Sequence, residues 1–239
     1  MSNKKFSAGD KIKVKNSQWN FSAAAKSFDG HIRKSIPLYD LGQEYISQLA
    51  SFFIRDSSVV YEIGCSTGEL ARKVLKHNSG KKFKYRAIDN VPGMVEKAKR
   101  RLANDSRVKV SLANAVTYNY KPCCLVLSYY TLQFIKPYVR QKLINKIYDS
   151  LEWGGAFIVY EKVRGPDARF QDILSQLYMD YKLAQGFDES EIVHKTRSLK
   201  GVLEPFSTEG NLGLLKRAGF VDIMLIQKYL CFEGYLCIK

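Results

Sequence analysis

Short apolar runs alternate with amphipathic stretches along most of this chain. Residues 58–63, 83–88, 107–112, 124–129 and 156–161 are rich in β-branched and other apolar residues and read as strands. Between them, 68–77, 93–103 and 137–152 carry apolar residues at helical spacing. In the last of these, Val139, Leu143, Ile147 and Leu151 recur every four positions, and Trp153-Gly154-Gly155 is expected to close the helix. Upstream, residues 41–53 form another helical stripe, with apolar residues at 41, 45, 46, 49, 52 and 53. The stretch Ser35-Ile36-Pro37-Leu38-Tyr39 breaks it from a short helical cap over 19–28 and 31–34, because a residue before proline avoids the helical region. Residues 166–200 read as an inserted pair of helices broken at Gly186. A helix at 209–218 ends at Gly219, and strands at 221–227 and 230–238 follow with no room for a helix between them, so they must be antiparallel.

Strands alternating with helices predict a parallel sheet covered on both faces. Seven strands finished by an antiparallel hairpin make this an α/β chain of the class I methyltransferase Rossmann-like fold, with the inserted helices as a lid. Residues 19–239 are expected to form one domain, and the lysine-rich residues 1–18 a flexible basic tail. The strand Val59-Val60-Tyr61-Glu62-Ile63 runs into Gly64-Cys65-Ser66-Thr67-Gly68, and a second strand ends in Asp89, 25 residues after Gly64. This is the layout of a βαβ nucleotide site, in which the loop lets backbone approach the ligand and the acid accepts hydrogen bonds from ribose. The G-x-x-x-G spacing suits a nucleoside without phosphates, of which S-adenosylmethionine (SAM) is the commonest.

Net charge is +15 over 239 residues, but the lysines are dispersed and do not alternate with aromatic residues as a nucleic-acid stacking platform would. The charge is therefore read as a solvated surface that attracts small anions. No apolar run of about 18 residues exists to cross a membrane. The five cysteines have no C-x-x-C spacing and fit a reducing cytoplasm. The three histidines are scattered, so neither a metal site nor a histidine-based catalytic apparatus is expected.

From about residue 19 onward the chain resembles the carboxy-S-adenosylmethionine synthases of the CmoA type. The resemblance rests on Ser35-Ile36-Pro37-Leu38-Tyr39, Gly64-Cys65-Ser66, Ile88-Asp89-Asn90, Thr131-Leu132-Gln133-Phe134 and Glu161-Lys162. It continues in Asp180-Tyr181-Lys182, Gly186-Phe187, Glu191-Ile192 and Arg197-Ser198. Ser66 is informative, since most methyltransferases carry glycine there. The resemblance implies a homodimeric enzyme that takes SAM and prephenate. Prephenate loses carbon dioxide and leaves as phenylpyruvate, and a SAM ylide captures the carbon dioxide as carboxy-SAM. A partner enzyme then uses the product on a tRNA wobble uridine, so RNA is met only indirectly.

By position in that family, Tyr39, Gly64, Cys65, Ser66, Asp89 and Asn90 bind the SAM moiety, and Arg197 pairs with the new carboxylate. An arginine fork suits a carboxylate bidentately. Three positions depart from the family: Asn114, followed by Ala115, replaces an acid near the adenine; Tyr129 replaces an asparagine; and Arg197 sits about one place late relative to Glu191. Two other readings follow from these departures: a true SAM-dependent methyltransferase acting on a small molecule or RNA, or a protein that binds SAM or carboxy-SAM without turnover.

Overall fold

The structure, a computed structural model, describes residues 6–25 and 27–239. A small hairpin of β1 (Phe6–Ser7) and β2 (Lys13–Val14) leads into three helices, α1 (Phe21–Ala24), α2 (Phe28–Ser35) and α3 (Tyr39–Phe53). The alternating part follows: β3 (Val59–Ile63), α4 (Glu69–His77), β4 (Lys84–Asp89), α5 (Pro92–Arg101), β5 (Val108–Leu112), β6 (Cys123–Tyr129), α6 (Pro137–Ser150) and β7 (Leu151–Lys162). The inserted helices are α7 (Ala168–Ala184) and α8 (Glu189–Ser198). The chain finishes with α9 (Thr208–Ala218), β8 (Asp222–Tyr229) and β9 (Phe232–Ile238).

Seven strands form one sheet in the order β5-β4-β3-β6-β7-β9-β8. The first five are mutually parallel, and β9 runs antiparallel to both β7 and β8. Alternate residues of each strand feed two cores. Val60, Leu125 and Leu127 pack with Ile46 and Ala50 of α3 and with Leu70 and Val74 of α4. Tyr61, Ile63 and Val126 pack on the opposite face with Leu143 and Ile147 of α6 and Leu215 of α9. Strand order reverses between β3 and β6, so their carboxyl ends diverge into the crevice where open α/β sheets bind ligands.

The seven-stranded sheet, the hairpin and the inserted helix pair agree with the pattern read from the sequence, and Gly186 (φ +85°) marks the break between α7 and α8. Two expectations fail. Helix α6 stops at Ser150, because Leu151 already pairs with Cys123; residues 152–155 then bulge before Ala156 pairs with Leu125. Trp153 is solvent-exposed there and caps nothing. The second failure concerns the expected tail at 1–18. Its first five residues lie outside the described residues, but from Phe6 on the segment is folded. Ala8, Ile12 and Val14 are buried against Ala24, Phe28 and Met94, and Ser17 and Trp19 donate backbone N–H bonds to the carbonyls of Arg197 and Ser198. Small apolar residues spaced among lysines supply a buried face that the high charge concealed.

Gly234 on β9 sits opposite Tyr160 on β7, and a Cβ there would overlap the tyrosine ring. Gly234→Ala is expected to destabilise the fold by about 1–3 kcal/mol through overpacking. Equilibrium denaturant unfolding reads this as a lowered midpoint with unchanged slope.

Candidate functional site

At the carboxyl ends of β3, β4 and β6 lies a cavity of ≈ 180 Å³. Its first wall is the loop after β3. The N–H groups of Gly64 and Cys65 both reach the carbonyl of Ile88, at 2.7 and 3.0 Å, which bends the chain sharply off the strand. Gly64 adopts φ +70°, and any Cβ would collide with the side chain of Thr131. Ser66 also lies in the left-handed region, at φ +51°, where glycine is the easier residue. Its conformation is held by an N–H bond to Asp89 Oδ2 at 2.8 Å and by its hydroxyl, 3.5 Å from Met94 Sδ.

Asp89 ends β4 with its other oxygen accepting from Val91 N–H at 2.9 Å. Burial raises its pKa, against the backbone N–H bonds of Val91, Ser66 and Asn90. The carboxylate therefore serves the start of α5 and the glycine loop together, while retaining lone pairs for a ligand hydroxyl. Glu62, 2% exposed, accepts from the Tyr85 hydroxyl at 2.7 Å, and burial pushes it up to about 8.

Tyr39, Tyr129 and Tyr130 form an aromatic wall. Tyr129 and Tyr130 rings lie 4.6 Å apart, and the Tyr129 hydroxyl donates to the Tyr39 carbonyl at 2.6 Å. Among the described residues, three buried polar atoms of cavity-lining side chains have no partner: Trp19 Nε1, Gln43 Oε1 and the Tyr130 hydroxyl. Unsatisfied buried groups are rare in folded proteins, and here they face a space that a polar ligand would fill. The loop after β6 is fixed from below by Glu161, whose carboxylate accepts from Leu132 and Gln133 N–H at 2.8 and 2.7 Å.

The far end of the cavity is basic. Lys195 of α8 places Nζ 2.7 Å from His31 Nε2 and 2.6 Å from Ser35 Oγ. His31 Nδ1 lies 3.0 Å from Asp10 Oδ2, so its proton sits on Nδ1 and Nε2 accepts from the lysine. Lys162 of β7 stands 4.3 Å from the centre of the Tyr178 ring, and Lys182 stands 4.5 Å from the same ring. Burial lowers all three lysines; the Lys162 charge adds to it at Lys182 (about 8), the Lys182 and Lys162 charges at Lys195 (about 7), and Arg164 at Lys162. Burial and the Lys195 charge lower His31 to about 4 despite Asp10.

Of the residues assigned from sequence, Tyr39, Gly64, Cys65, Ser66, Asp89, Asn90 and Tyr129 all line this cavity. Asn114 and Ala115 do not; they follow β5, one strand beyond Asp89, and Asn114 Oδ1 accepts locally from Val116 N–H. Arg197 does not line it either. It lies exposed on α8, outside the cavity, while Ile192, Lys195 and Leu199 face inward. Two residues along a helix rotate a side chain by about 200°, so the cation that enters is Lys195. Sequence reasoning also missed Lys162 and Gln43. The signal for Lys195 was a lysine at i+3 in the otherwise apolar stripe Ile192, Lys195, Leu199. Among the described residues, no group of three His, Cys, Asp or Glu side chains is placed to hold a metal ion.

A methyltransferase-domain family profile matches residues 60–155. Among solved structures, the fold is similar to the S-adenosylmethionine-dependent methyltransferase SibL (TM-score 0.64, 16% identity, 94% of this chain and 63% of that one). It is also similar to Haemonchus contortus phosphoethanolamine N-methyltransferase 2 in complex with SAM (TM-score 0.61, 16% identity, 83% and 52%). Fold and site together define a SAM-dependent transferase on the class I methyltransferase fold. The chain is 34% identical to the carboxy-S-adenosyl-L-methionine synthase of Staphylococcus epidermidis, over 93% of its length and 97% of that protein. It is likewise 34% identical to the Campylobacter jejuni synthase, over 93% and 94%. This protein belongs to the carboxy-S-adenosyl-L-methionine synthase family.

The raised Glu62 has a sign that can be tested. An unfolded glutamate loses its proton near the ordinary 4.5, whereas the native one holds it up to about 8. Between those values the native state binds more protons, so stability is lost as pH rises, by at most ~1.4 kcal/mol per pH unit for this group. The unfolding free energy of Glu62→Gln, relative to wild type, should therefore grow steadily from about pH 5 to about pH 8. Chemical denaturation across that window measures it.

Proposed function

We propose that this protein makes carboxy-SAM from SAM and prephenate, releasing phenylpyruvate. The observation that carries the reading is the continuity of one cavity from the Gly64–Ser66 loop and Asp89 to a basic, aromatic-walled end. A nucleoside with a methionine arm suits the first part. A small anionic carboxyl donor suits the second, with its carboxyl released against the sulfonium methyl group. Prephenate carries two carboxylates, a ring and a hydroxyl. Its loss of carbon dioxide and hydroxide, with one proton removed from the methyl group, balances to carboxy-SAM, phenylpyruvate and water.

The chain contributes position and exclusion of water. Ser66, Asp89 and Asn90 hold the nucleoside end, and Tyr39 and Tyr129 shape the space around the sulfonium. Tyr178 and Leu199 of the insertion, with Leu203 just after it, keep the reacting carbon away from solvent. We take Asn114 and Ala115 to border the adenine from the next strand, because their loop follows the partner strand of Asp89. Product would pass to an enzyme that carboxymethylates a tRNA wobble uridine. We place the reaction in the cytoplasm, in keeping with five buried cysteines that are all free thiols. We also take the enzyme to act as a homodimer, a reading supported by the exposed apolar residues Phe170, Ile173 and Leu177 along α7.

Incubation with SAM, with and without prephenate, followed by mass spectrometry of the nucleosides, tests the reading. Carboxy-SAM and phenylpyruvate should form only when both substrates are present. S-adenosylhomocysteine formed with some other acceptor would replace it with a methyltransferase, and bound SAM without turnover would replace it with a binding protein. Asp89→Ala should weaken SAM binding by about 10-fold or more in calorimetry, since charge-assisted bonds to ribose contribute about 1.5–3 kcal/mol. Light scattering should give a mass near twice 27.3 kDa.

A further inference from the structure

Three lysines meet at one end of the cavity with no carboxylate to neutralise them. The Nζ atoms of Lys162 and Lys182 share the Tyr178 ring, and Lys195 Nζ lies 5.5 and 5.4 Å from the Trp19 and Phe187 rings. None of the three has an acidic side chain within ion-pair distance among the described residues. The nearest acid, Asp10, reaches Lys195 only through His31. Lys182 and Lys195 are 6% and 9% exposed, and Lys162 is half-buried.

Burying like charges together without a counter-charge is strongly unfavourable, so it is kept where an anion completes the site. Solvent does not screen this cluster well, and aromatic faces offset only part of the cost. Of the three, Lys162 and Lys195 line the cavity itself, and Lys182 stands behind them. Tyr178 presents a flat apolar surface beside the Lys162 and Lys182 ammonium groups, Phe232 stands 5.3 Å from it edge-on, and the Tyr178 hydroxyl is already used on the Ser35 carbonyl at 2.8 Å. The wall therefore offers an apolar face beside two cations.

We propose that Lys162 and Lys195 form a carboxylate subsite that receives the side-chain carboxylate of an acid bearing an unsaturated or aromatic ring. The ring rests against Tyr178 and Phe232, and Lys182 adds field from behind. The proposal rests on the reading that the second substrate is an acid. Lys195 is fixed in place by His31 and Ser35, which leaves one of its three N–H bonds for the ligand. Asp10 holds His31, and Lys34 donates to the other Asp10 oxygen at 2.7 Å. The first part of the chain thus sets the direction of a cation in the cavity.

Calorimetric titration of the full chain with phenylpyruvate, and separately with SAM, tests this. Lys162→Met is the principal variant, because it removes an uncompensated charge and keeps the stem, so it should fold at least as well as wild type. It should weaken phenylpyruvate binding by about 10-fold or more and change SAM binding less than about 2-fold. Lys195→Gln should act in the same direction, and Arg197→Gln should change neither ligand. Titration near pH 8 in buffers of different ionisation enthalpy should also show net proton uptake. Lys195 and Lys182 are the groups that gain the proton; His31, Asp10, Lys34, Lys162, Cys231 and Tyr178 are the other titratable groups around them. Phenylpyruvate bound as tightly by both lysine variants as by wild type, or lost in Arg197→Gln, would overturn the subsite. Failure of the reaction is separable: wild type that yields no carboxy-SAM but shows lysine-dependent phenylpyruvate binding retains the subsite. Carboxy-SAM formed with an unchanged KM for prephenate in Lys162→Met keeps the reaction and removes the subsite.

Discussion

Asp89 is one carboxylate doing two structural tasks at once. Its two oxygens accept from Ser66 and Val91, so the loop leaving β3 and the helix entering after β4 are tied to the same point. The constraint is reinforced by Ile88, whose carbonyl accepts from both Gly64 and Cys65. The positive φ of Gly64 and Ser66 follows, since the loop must turn back over a strand end within two residues. Thr131 closes the other side, resting where a Cβ of residue 64 would be. The shape of this end of the cavity is therefore set by hydrogen bonds that exist before any ligand arrives, which is how a site avoids reorganisation on binding.

The opposite end follows a different principle. Acids and bases are segregated rather than paired. Glu161 spends its carboxylate on two backbone N–H groups of the Leu132–Gln133 turn. Its neighbour Lys162 is left to two aromatic rings, because consecutive residues of β7 point to opposite faces of the sheet. Glu233 likewise accepts from Thr208, Tyr235 and Lys228. The basic character of the cavity is thus a consequence of strand alternation combined with acids already occupied elsewhere.

Most of the fold could be read from the sequence because strand and helix periods were clean, as in 58–63 and in the stripe of α6. The Gly64–Ser66 turn beside Asp89 was equally legible, since a positive-φ glycine and a distant acid leave a pattern in the chain. Side-chain direction on the insertion was not. Arg197 stands on the exposed face of α8, and only packing against Ser35 and His31 shows that Lys195 points inward. The docked N-terminal segment was hidden for a related reason: lysines dominate its composition, while its buried face consists of the small residues Ala8, Ile12 and Val14. Leu151 was read as the last residue of a helical stripe, yet its strand pairing with Cys123 prevailed over local periodicity.

The hairpin at the start of the chain touches α8 through Ser7 and Glu191, and residues 17 and 19 bond to its last turn. Through Asp10 and His31 it also orients a cation of the cavity. Coupling of that kind is reciprocal: whatever free energy the segment contributes to holding an anion, the anion returns to holding the segment. A tag, truncation or cleavage near Ser7 would then register as altered substrate affinity, far from any catalytic atom. Resistance of the same stretch to protease would in turn report how full the cavity is.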